Sequence, residues 1–495
     1  MARLSRRFFI ALACAACGKS PMPGHAQNTA AQDAGDASAG VGDGGAHAGD
    51  GAVNGGGSDG SSDSGGLTSS DGAVSSEATA PTRAWDWNGI VGTGQSLSVG
   101  AQASTVTLKA QPFKNLKLSL GAASVTVPPY NSNDPALSVV PLVEPIRTEA
   151  MSYPGAYPMN IYGETPHTAM ADQISALYQK DAGGDYVTVH IVVGESGQGI
   201  GVIDKTATVT SNMGHAYAAT LFEVSALKRL ATASGKTYGV GGIVLTHGET
   251  DAGNSNYESD VYKLYSDYSA DISAITGQTT KMRLLLTQQQ TSPGDNSTTA
   301  SLIAEWKIGV DHPGEVICVG PKYQYAYASD HLHLVASGYD QLGEKYAEVY
   351  YASVVLGRDW QPLQPLSASR SGKVITVSFH VPVGPLVWDS AMPAPHQATH
   401  TAWSKGRGFE VSNQSGEQTI DSVAIQGDAV QVTLATDPGA TGLVVRYAVT
   451  QDGSGTQGGL ATGRIGQLRD SDPLVGYATK LPQYNYAVSF VMPVN

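Results

Sequence analysis

The chain contains very little cysteine. Of its three cysteines, Cys14 and Cys17 lie in the first 17 residues, which leaves Cys318 alone in the rest of the 495-residue sequence. A single thiol excludes a disulfide framework and a cysteine-rich metal site from that part of the protein. Cys318 lies in the apolar run EVICVGP (315–321), so we interpret it as a buried strand residue.

Positive charge is also scarce. The sequence has 29 Lys and Arg residues against 43 Asp and Glu residues, a formal net charge of −14. Four basic residues within 1–19 and eight acidic residues within 20–81 account for −4 of this charge, which leaves −10 for the remainder. An acidic folded part argues against nucleic acid or an anionic membrane surface as the ligand.

Residues 20–81 have no lysine or arginine and almost no large apolar side chain. Glycine, alanine, serine and aspartate dominate the segment. Because such a composition cannot offset the entropy that ordering costs, we predict a disordered tether over 20–81.

The first residues, MARLSRRFFIALACAAC, contain three arginines followed by a short apolar run. This layout is typical of a bacterial export signal, which we place within 1–26, and the run is too short for a stable membrane anchor. Two maturation sites remain open. Lipidation of Cys17 would give an outer-membrane or cell-surface lipoprotein, whereas cleavage after Ala26 would give a secreted or periplasmic protein.

Short β-branched runs alternate with longer amphipathic stretches over residues 85–357. Each predicted strand is almost wholly apolar, which indicates an α/β fold with a parallel sheet covered on both faces. Ligands of such sheets bind beyond the carboxyl ends of the strands. The predicted strands are 88–94, 185–196, 238–249, 282–289 and 315–321, and the predicted helices are 165–180, 212–235, 258–277, 299–310 and 338–357.

After Gly357 the pattern changes to a period of two. Alternating apolar and polar residues, separated by Gly, Asp and Ser turns, predict an all-β sandwich over 358–495. We find no catalytic constellation in this part and interpret it as a passive or carbohydrate-contacting accessory domain. Its predicted strands are 373–381, 421–435, 441–450 and 484–492.

Two glycine-rich segments follow predicted strands. The segment GTGQSLS (92–98) contains Ser96, whose hydroxyl would be exposed at a strand end if it serves as a nucleophile. The segment VVGESGQGIG (192–201) contains glycines that let the backbone present N–H donors to a ligand. Each segment alone is equally compatible with a tight turn.

Two further segments carry ionisable side chains. The segment VLTHGETDAGN (244–254) places His247, Glu249 and Asp251 after a strand, where they could line a site or hold a metal, although no second ligand set lies nearby. In SDHLHLVASG (329–338), Asp330 can fix the tautomer of His333 and leave Nε2 as a general base. His331 competes with His333 for that role.

Together, and in this order, the four segments resemble the sequence blocks of the SGNH (GDSL-type) hydrolases. They are most similar to the branch that holds the sialate O-acetylesterases and the acetylxylan esterases of carbohydrate esterase family 6. The resemblance covers about residues 85–357. It implies a three-layer α/β/α sandwich and serine-dependent ester hydrolysis without a metal or a cofactor. The matching stretches are GQSLS (94–98), GQG (197–199), HGETD (247–251) and DHLHL (330–334).

The resemblance also implies roles for individual residues. Ser96, His333 and Asp330 would form the catalytic triad, and the backbone N–H groups of Ser96 and Gly197 would bind the oxyanion. The superfamily places an asparagine donor where Glu249 stands here, and an ionised carboxylate only accepts hydrogen bonds. We therefore expect Glu249 to orient the Ser96 loop or its neighbours, together with the other site-supporting residues Gln95, Gln198, His247 and Asp251.

His247 replaces the glutamine that is usual in this branch, which leaves its role open. The expected substrate is an O-acetyl group on carbohydrate. The aromatic segment PKYQYAYASD (321–330) could stack on a sugar ring or pack against a lipid acyl chain. A lipase or polyester hydrolase, or a non-catalytic glycan-binding surface lipoprotein, therefore remains an alternative.

Overall fold

The structure is a computed structural model that describes residues 80–121, 126–146, 163–290, 299–439, 442–452, 458–460 and 464–495. The predicted export signal, Cys17 and nearly all of the predicted tether lie outside these residues. Within the described ranges, none of the helices combines the length and the apolarity that a membrane span requires.

A mixed sheet forms the centre of the first part of the chain. Within the described residues it has seven strands in the order β3-β2-β4-β1-β5-β6-β7. All neighbouring strands are parallel except β2 and β3, which pair antiparallel. The strands are β1 (Trp87–Gly94), β2 (Leu116–Ser119), β3 (Ser138–Pro141), β4 (Thr188–Val192), β5 (Tyr238–Thr246), β6 (Arg283–Leu286) and β7 (Val316–Cys318).

The prediction of a purely parallel sheet is therefore wrong at one edge. Strands β2 and β3 were not predicted, because each is only four residues long and β3 is half-exposed at the sheet edge. The central strand β1 is buried along its whole length and pairs with both β4 and β5.

Six helices lie within the described part of the chain. Thr165 caps α1 by accepting a hydrogen bond from the N–H of His167, and Pro166 starts the helix with the φ angle that a first turn needs. The helices are α1 (Pro166–Ala182), α2 (Ile200–Ile203), α3 (Ala216–Ala233), α4 (Tyr257–Thr276), α5 (Ala300–Asp311) and α6 (Ala336–Tyr350).

The helices cover both faces of the sheet. Because successive side chains of a strand point to opposite faces, Ile90 and Val91 of β1 belong to different apolar cores. Ile90 packs in a cluster with side chains of α1 and α6, and Val91 in one with side chains of α3 and α4. The α/β region thus has three layers, and the carboxyl ends of its parallel strands share one edge.

Antiparallel sheets make up the C-terminal part. One has the order β13-β14-β9-β8 and another β12-β11-β15-β17, while β10 pairs with β16. The strands are β8 (Gln364–Ser371), β9 (Val374–His380), β10 (Val387–Trp388), β11 (Phe409–Asn413), β12 (Gly416–Glu417), β13 (Ile420–Gln426), β14 (Ala429–Leu434), β15 (Val444–Tyr447), β16 (Leu468–Arg469) and β17 (Phe490–Pro493).

Aromatic side chains fill the space between the two larger sheets. Phe379 of β9 lies edge-on to Phe409 of β11 and Phe490 of β17, with ring centroids 6.3 and 6.1 Å apart. The predicted strand 484–492 is shorter than expected, because only its last residues pair in β17. Strands β8 and β11 were not predicted, and β8 is rich in exposed serine.

The end of the chain returns to the α/β region. The hydroxyl of Tyr323 donates to the carbonyl of Ala487 at 2.7 Å. Gln288 and Ser489 form two hydrogen bonds, one from the Gln288 side-chain amide to the Ser489 carbonyl and one from the Ser489 N–H to Gln288 Oε1. These buried polar contacts join the C-terminal strands to the loops that follow β6 and β7.

Candidate active site

Ser96 stands just beyond the carboxyl end of the central strand. Gly94 ends β1 with φ of +140°, and a Cβ atom at this position would lie 2.1 Å from the carbonyl oxygen of Thr246 on β5. Glycine is therefore required for this close approach. The Gln95 N–H donates to the same carbonyl at 3.2 Å, and Ser96 then begins a short 3₁₀ turn.

A chain of hydrogen bonds connects Ser96 to a carboxylate. His333 Nε2 lies 2.7 Å from Ser96 Oγ, and His333 Nδ1 lies 2.7 Å from Asp330 Oδ2. Because the carboxylate accepts the Nδ1 proton, Nε2 is left to accept the serine proton. The structure therefore brings Ser96, His333 and Asp330 together, 237 residues apart in sequence at their widest.

The loop that carries Asp330 and His333 is held in place by hydrogen bonds within the loop itself. Asp330 Oδ1 accepts hydrogen bonds from the N–H groups of Leu332 and His333, both at 3.1 Å. The His333 carbonyl accepts from the Ala328 N–H at 2.8 Å. His331 takes a left-handed φ of +53°. The ring at hydrogen-bond distance from Ser96 is that of His333.

Asp330 is electrostatically suited to balance a positive imidazole. Partial burial acts to raise its pKa, but the hydrogen bonds from the side chain and backbone of His333 and from the Leu332 N–H outweigh burial and lower the pKa. The carboxylate is thus ionised at neutral pH, and His333 is buried beside it.

The glycine-rich loop lies against the end of β1. The Glu195 N–H donates to the carbonyl of Gly94 at 2.9 Å, which extends the β1–β4 pairing beyond the strands. Gly197 lies two residues after Glu195, as Ser96 lies two residues after Gly94. Both predicted oxyanion donors therefore belong to the same edge of the sheet.

Sequence reasoning missed Glu195. Its buried carboxylate accepts hydrogen bonds from the N–H groups of Gly214, His215 and Ala216, at 2.9, 2.6 and 2.8 Å, and so caps the start of α3. The sequence could have indicated Glu195, because it is an acidic residue between the two glycines of GESG (194–197).

The segment after β5 contacts the two glycine-rich segments. His247 Nε2 lies 3.0 Å from the carbonyl oxygen of Gln198, and Asp251 Oδ2 accepts the Ile200 N–H at 2.7 Å. Thr250 donates to Gln95 Oε1 from its N–H at 3.3 Å and from its hydroxyl at 3.0 Å. Four of the predicted site-supporting residues, Gln95, Gln198, His247 and Asp251, therefore meet in one network.

Glu249 forms a buried ion pair with a residue that was not predicted. Lys322 Nζ lies 2.5 Å from Glu249 Oε1, and both side chains are at least 95 % buried. Lys322 follows β7, so this pair links the ends of β5 and β7. A second carboxyl group, Glu305, lies close enough to interact electrostatically; burial raises its pKa well above the usual range, although the charge of Lys322 acts in the opposite direction.

Most polar side-chain atoms in the segment after β5 are bonded within the protein, although Glu249 Oε2 is buried with no hydrogen-bond partner among the described residues. His247 bonds to Tyr257 and Gln198 through its two ring nitrogens, and Glu249 pairs with Lys322. Among the described residues, no group of three or more His, Cys, Asp and Glu side chains has the geometry of a metal site.

Comparison with known proteins gives a likeness of fold. No protein-family model matches the chain, and no curated protein matches it. Its fold is shared with the crystal structure of a carbohydrate acetylesterase from Xanthomonas citri, with a TM-score of 0.51 and 13 % identity over 82 % of this chain and 80 % of that one. An Arabidopsis thaliana protein and NanS are also similar, with TM-scores of 0.40 and 0.36, at 14 % and 12 % identity, over 54 % and 55 % of this chain and 98 % and 97 % of theirs.

Proposed function

We propose that this chain is a serine esterase that removes O-acetyl groups from carbohydrate through an acyl-enzyme on Ser96. The observation that carries the proposal is the chain of two 2.7 Å hydrogen bonds from Ser96 through His333 to Asp330, at the carboxyl end of the central strand. The fold shared with a carbohydrate acetylesterase supports the same class of reaction.

In the first half of the reaction, Ser96 Oγ attacks the carbonyl carbon of the ester. His333 Nε2 takes the hydroxyl proton, and Asp330 stabilises the imidazolium that results. The tetrahedral intermediate then collapses, the bond to the sugar oxygen breaks, and His333 gives its proton to that oxygen. The products are a free sugar hydroxyl and an acetyl group on Ser96.

In the second half, a water molecule replaces the sugar. As water attacks the acetyl carbonyl, His333 Nε2 takes a proton from the water. His333 returns that proton to Ser96 Oγ when the acetyl group leaves as the free acid. In both halves negative charge develops on the carbonyl oxygen. We assign the N–H groups of Ser96 and Gly197 to stabilise it, as donors fixed in position before the reaction.

The substrate fits a protein that acts outside the cytoplasm. Polysaccharides are too large to be taken up before they are trimmed, and the predicted export signal would deliver the enzyme to them. Anchoring through Cys17 and release after Ala26 remain predictions from the sequence.

The test is hydrolysis by the full chain and by Ser96→Ala. We expect wild type to release acetate from acetylated xylan and to hydrolyse p-nitrophenyl acetate, and Ser96→Ala to lose roughly 10⁶-fold in kcat with its circular dichroism unchanged. Ser225→Ala is the matched control, because Ser225 Oγ donates to the Leu221 carbonyl within its own helix, α3. Full activity in Ser96→Ala would contradict the proposal.

A substrate panel tests the acyl group and the alcohol separately. We expect acetyl esters to be hydrolysed faster than p-nitrophenyl esters with longer acyl chains, and acetylated xylan and sialate acetates to release acetate. Faster hydrolysis of long acyl chains would replace the assigned class with a lipase or polyester hydrolase.

A further inference from the structure

His247 lies where the segment after β5 meets the glycine-rich loop. We propose that His247 is a positioning residue that holds the oxyanion loop around Gly197 by bridging Tyr257 to the backbone of Gln198, a role that rests on the proposed function. It acts through the loop and does not touch the reacting atoms.

The loop is a four-residue turn over residues 195–198. The Gln198 N–H donates to the Glu195 carbonyl at 3.2 Å, and Gly197 occupies the third position with a left-handed φ of +71°. Within the described part of the chain, no atom lies within 4 Å of a Cβ placed on Gly197. Packing therefore does not fix the turn at this residue.

The two ends of the turn are fixed by hydrogen bonds instead. At its start, the Glu195 N–H donates to the Gly94 carbonyl at 2.9 Å. At its end, His247 holds the Gln198 carbonyl at 3.0 Å, and Asp251 holds the N–H of Ile200 at 2.7 Å. The first of these end contacts is the nearer to Gly197, and it depends on one ring nitrogen.

The proton positions on His247 follow from its partners. The Gln198 carbonyl can only accept, so Nε2 carries the proton, and Nδ1 accepts the hydroxyl proton of Tyr257 at 2.8 Å. The two rings are nearly parallel, at 8°. Burial lowers the pKa of His247, and the charge of Lys322 acts in the same direction. The charges of Asp251 and Glu249 and the hydrogen bond to the Gln198 carbonyl act to raise the pKa but do not reverse that direction, so the ring is neutral at pH 7.

Tyr257 is itself a rigid support. It starts α4, is buried, and keeps its proton because burial raises its pKa well above the usual range. The bridge thus connects the first turn of a helix to the oxyanion loop through one buried imidazole. A glutamine side chain has the same two functions, an amide N–H donor and a carbonyl acceptor.

The test compares His247→Leu with His247→Gln in the full chain. We expect His247→Leu to lower kcat for p-nitrophenyl acetate about 10²-fold with KM changed less than about threefold, since a displaced oxyanion donor acts on the transition state. His247→Gln should restore kcat to within about fivefold of wild type. Rates are expressed per active site, counted by fluorophosphonate titration, so that partial unfolding does not change them.

His190→Leu is the matched control. His190 is an equally buried histidine on β4, but it bonds to His167 and Thr188 and does not contact the oxyanion loop. We expect this variant to lose stability while its kcat per active site stays within about twofold of wild type.

Tyr257→Phe is a second variant that tests the bridge even if His247→Leu does not fold. It removes only the hydroxyl that fixes His247, and we expect a loss of about tenfold in kcat with KM unchanged. Unchanged kcat per active site in both His247→Leu and Tyr257→Phe would overturn the positioning role alone. If the wild-type protein neither hydrolyses esters nor reacts with a fluorophosphonate, both the proposed function and the positioning role are overturned.

Discussion

The α/β region and the C-terminal β region each contain a buried histidine beside a carboxylate. In the α/β region, His333 contacts Asp330 through Nδ1 and Ser96 through Nε2. In the β region, His396 Nε2 lies 3.6 Å from Glu410, and its Nδ1 has no hydrogen-bond partner among the described residues. The pairing of histidine and carboxylate is thus common to both regions, and only one of them adds a nucleophile.

The partners of the carboxylates differ in the same way. Glu410 accepts hydrogen bonds from the N–H groups of Val449 and Thr450 and from the Thr450 hydroxyl, so its charge is used to tie β11 to the chain after β15. Asp330 ties down only its own loop and the imidazole. The comparison teaches that a histidine–carboxylate pair becomes a candidate catalytic pair under two conditions. The second ring nitrogen of the histidine must contact a nucleophile, and the pair must lie at the carboxyl ends of parallel strands, where ligands bind.

The largest expected effect separates the two histidines. His333→Ala should lower kcat for p-nitrophenyl acetate roughly 10⁶-fold, because it removes the imidazole that lies 2.7 Å from Ser96 Oγ and takes its proton. His396→Ala should lower the melting temperature and leave kcat per active site within about twofold. Steady-state kinetics and thermal unfolding on both variants check this, and a comparable loss of kcat in the two would break the comparison.

Asp330→Asn is expected to have the next largest effect. The amide cannot stabilise the imidazolium and favours the wrong tautomer of His333, so kcat should fall about 10⁴-fold. The corresponding Glu410→Gln should keep kcat and lose stability. A loss below tenfold in Asp330→Asn would show that the carboxylate is not part of the reaction.

The pair of His396 and Glu410 in the β region should make the free energy of unfolding depend on pH within a limited range. Burial lowers the pKa of His396, but the negative charge of Glu410 at 3.6 Å and the hydrogen bond of Nε2 to the Thr450 carbonyl at 3.2 Å outweigh burial and raise the pKa. This stabilisation is complete below the unfolded value of about 6.5 and is lost as pH rises through the folded one. Burial raises the pKa of Glu410, but His396 and Thr450 outweigh it and lower the pKa; this stabilisation is present above about 4.5 and is lost as pH falls.

The stability difference between wild type and His396→Ala should therefore be largest between pH of about 4.5 and 6.5 and smaller on either side. We expect the pH-dependent part to be about 1.5–3 kcal/mol, the size of a hydrogen bond to a charged group. Urea unfolding at a series of pH values measures it. A difference that does not change with pH would show that the pair is uncharged.

The smallest expected effect tests whether the two regions are functionally separate. The Gly458 N–H donates to the His331 carbonyl at 2.5 Å, and a Cβ on Gly459 would lie 2.8 Å from the ring of Tyr327. Gly459→Val should push this contact apart and, through the Asp330–His333 loop, lower kcat/KM about fivefold. Unchanged kcat/KM in this variant would contradict this coupling and would leave the passive or carbohydrate-contacting accessory domain that the sequence predicts.

Local patterns in the sequence predict the parts of the site that lie in one segment. The apolar runs before Ser96 and His247 mark β1 and β5, and the spacing of Asp330 and His333 places both on one loop. Strands β2 and β3 have no such signal, since each is only four residues long, and β3, the edge strand, is half-exposed.

Contacts between distant segments could not be predicted in the same way. Lys322 pairs with Glu249 across 73 residues, and Thr250 bonds to Gln95 across 155. Nothing near Lys322 in the sequence indicates which carboxylate it will meet, because that depends on the order of the strands in the sheet. Tyr257 likewise lies just before the predicted helix 258–277, and nothing in the sequence indicates that its hydroxyl meets His247.

The most direct test of the central claim is the site at which a fluorophosphonate attaches to the full-length protein. Ser96 Oγ attacks phosphorus and fluoride leaves, so peptide mass spectrometry should find one adduct per chain, on the peptide that contains Ser96. The adduct should be absent in Ser96→Ala and form far more slowly in His333→Ala. No adduct on the wild-type protein, or one on another residue that persists in Ser96→Ala, would contradict the account.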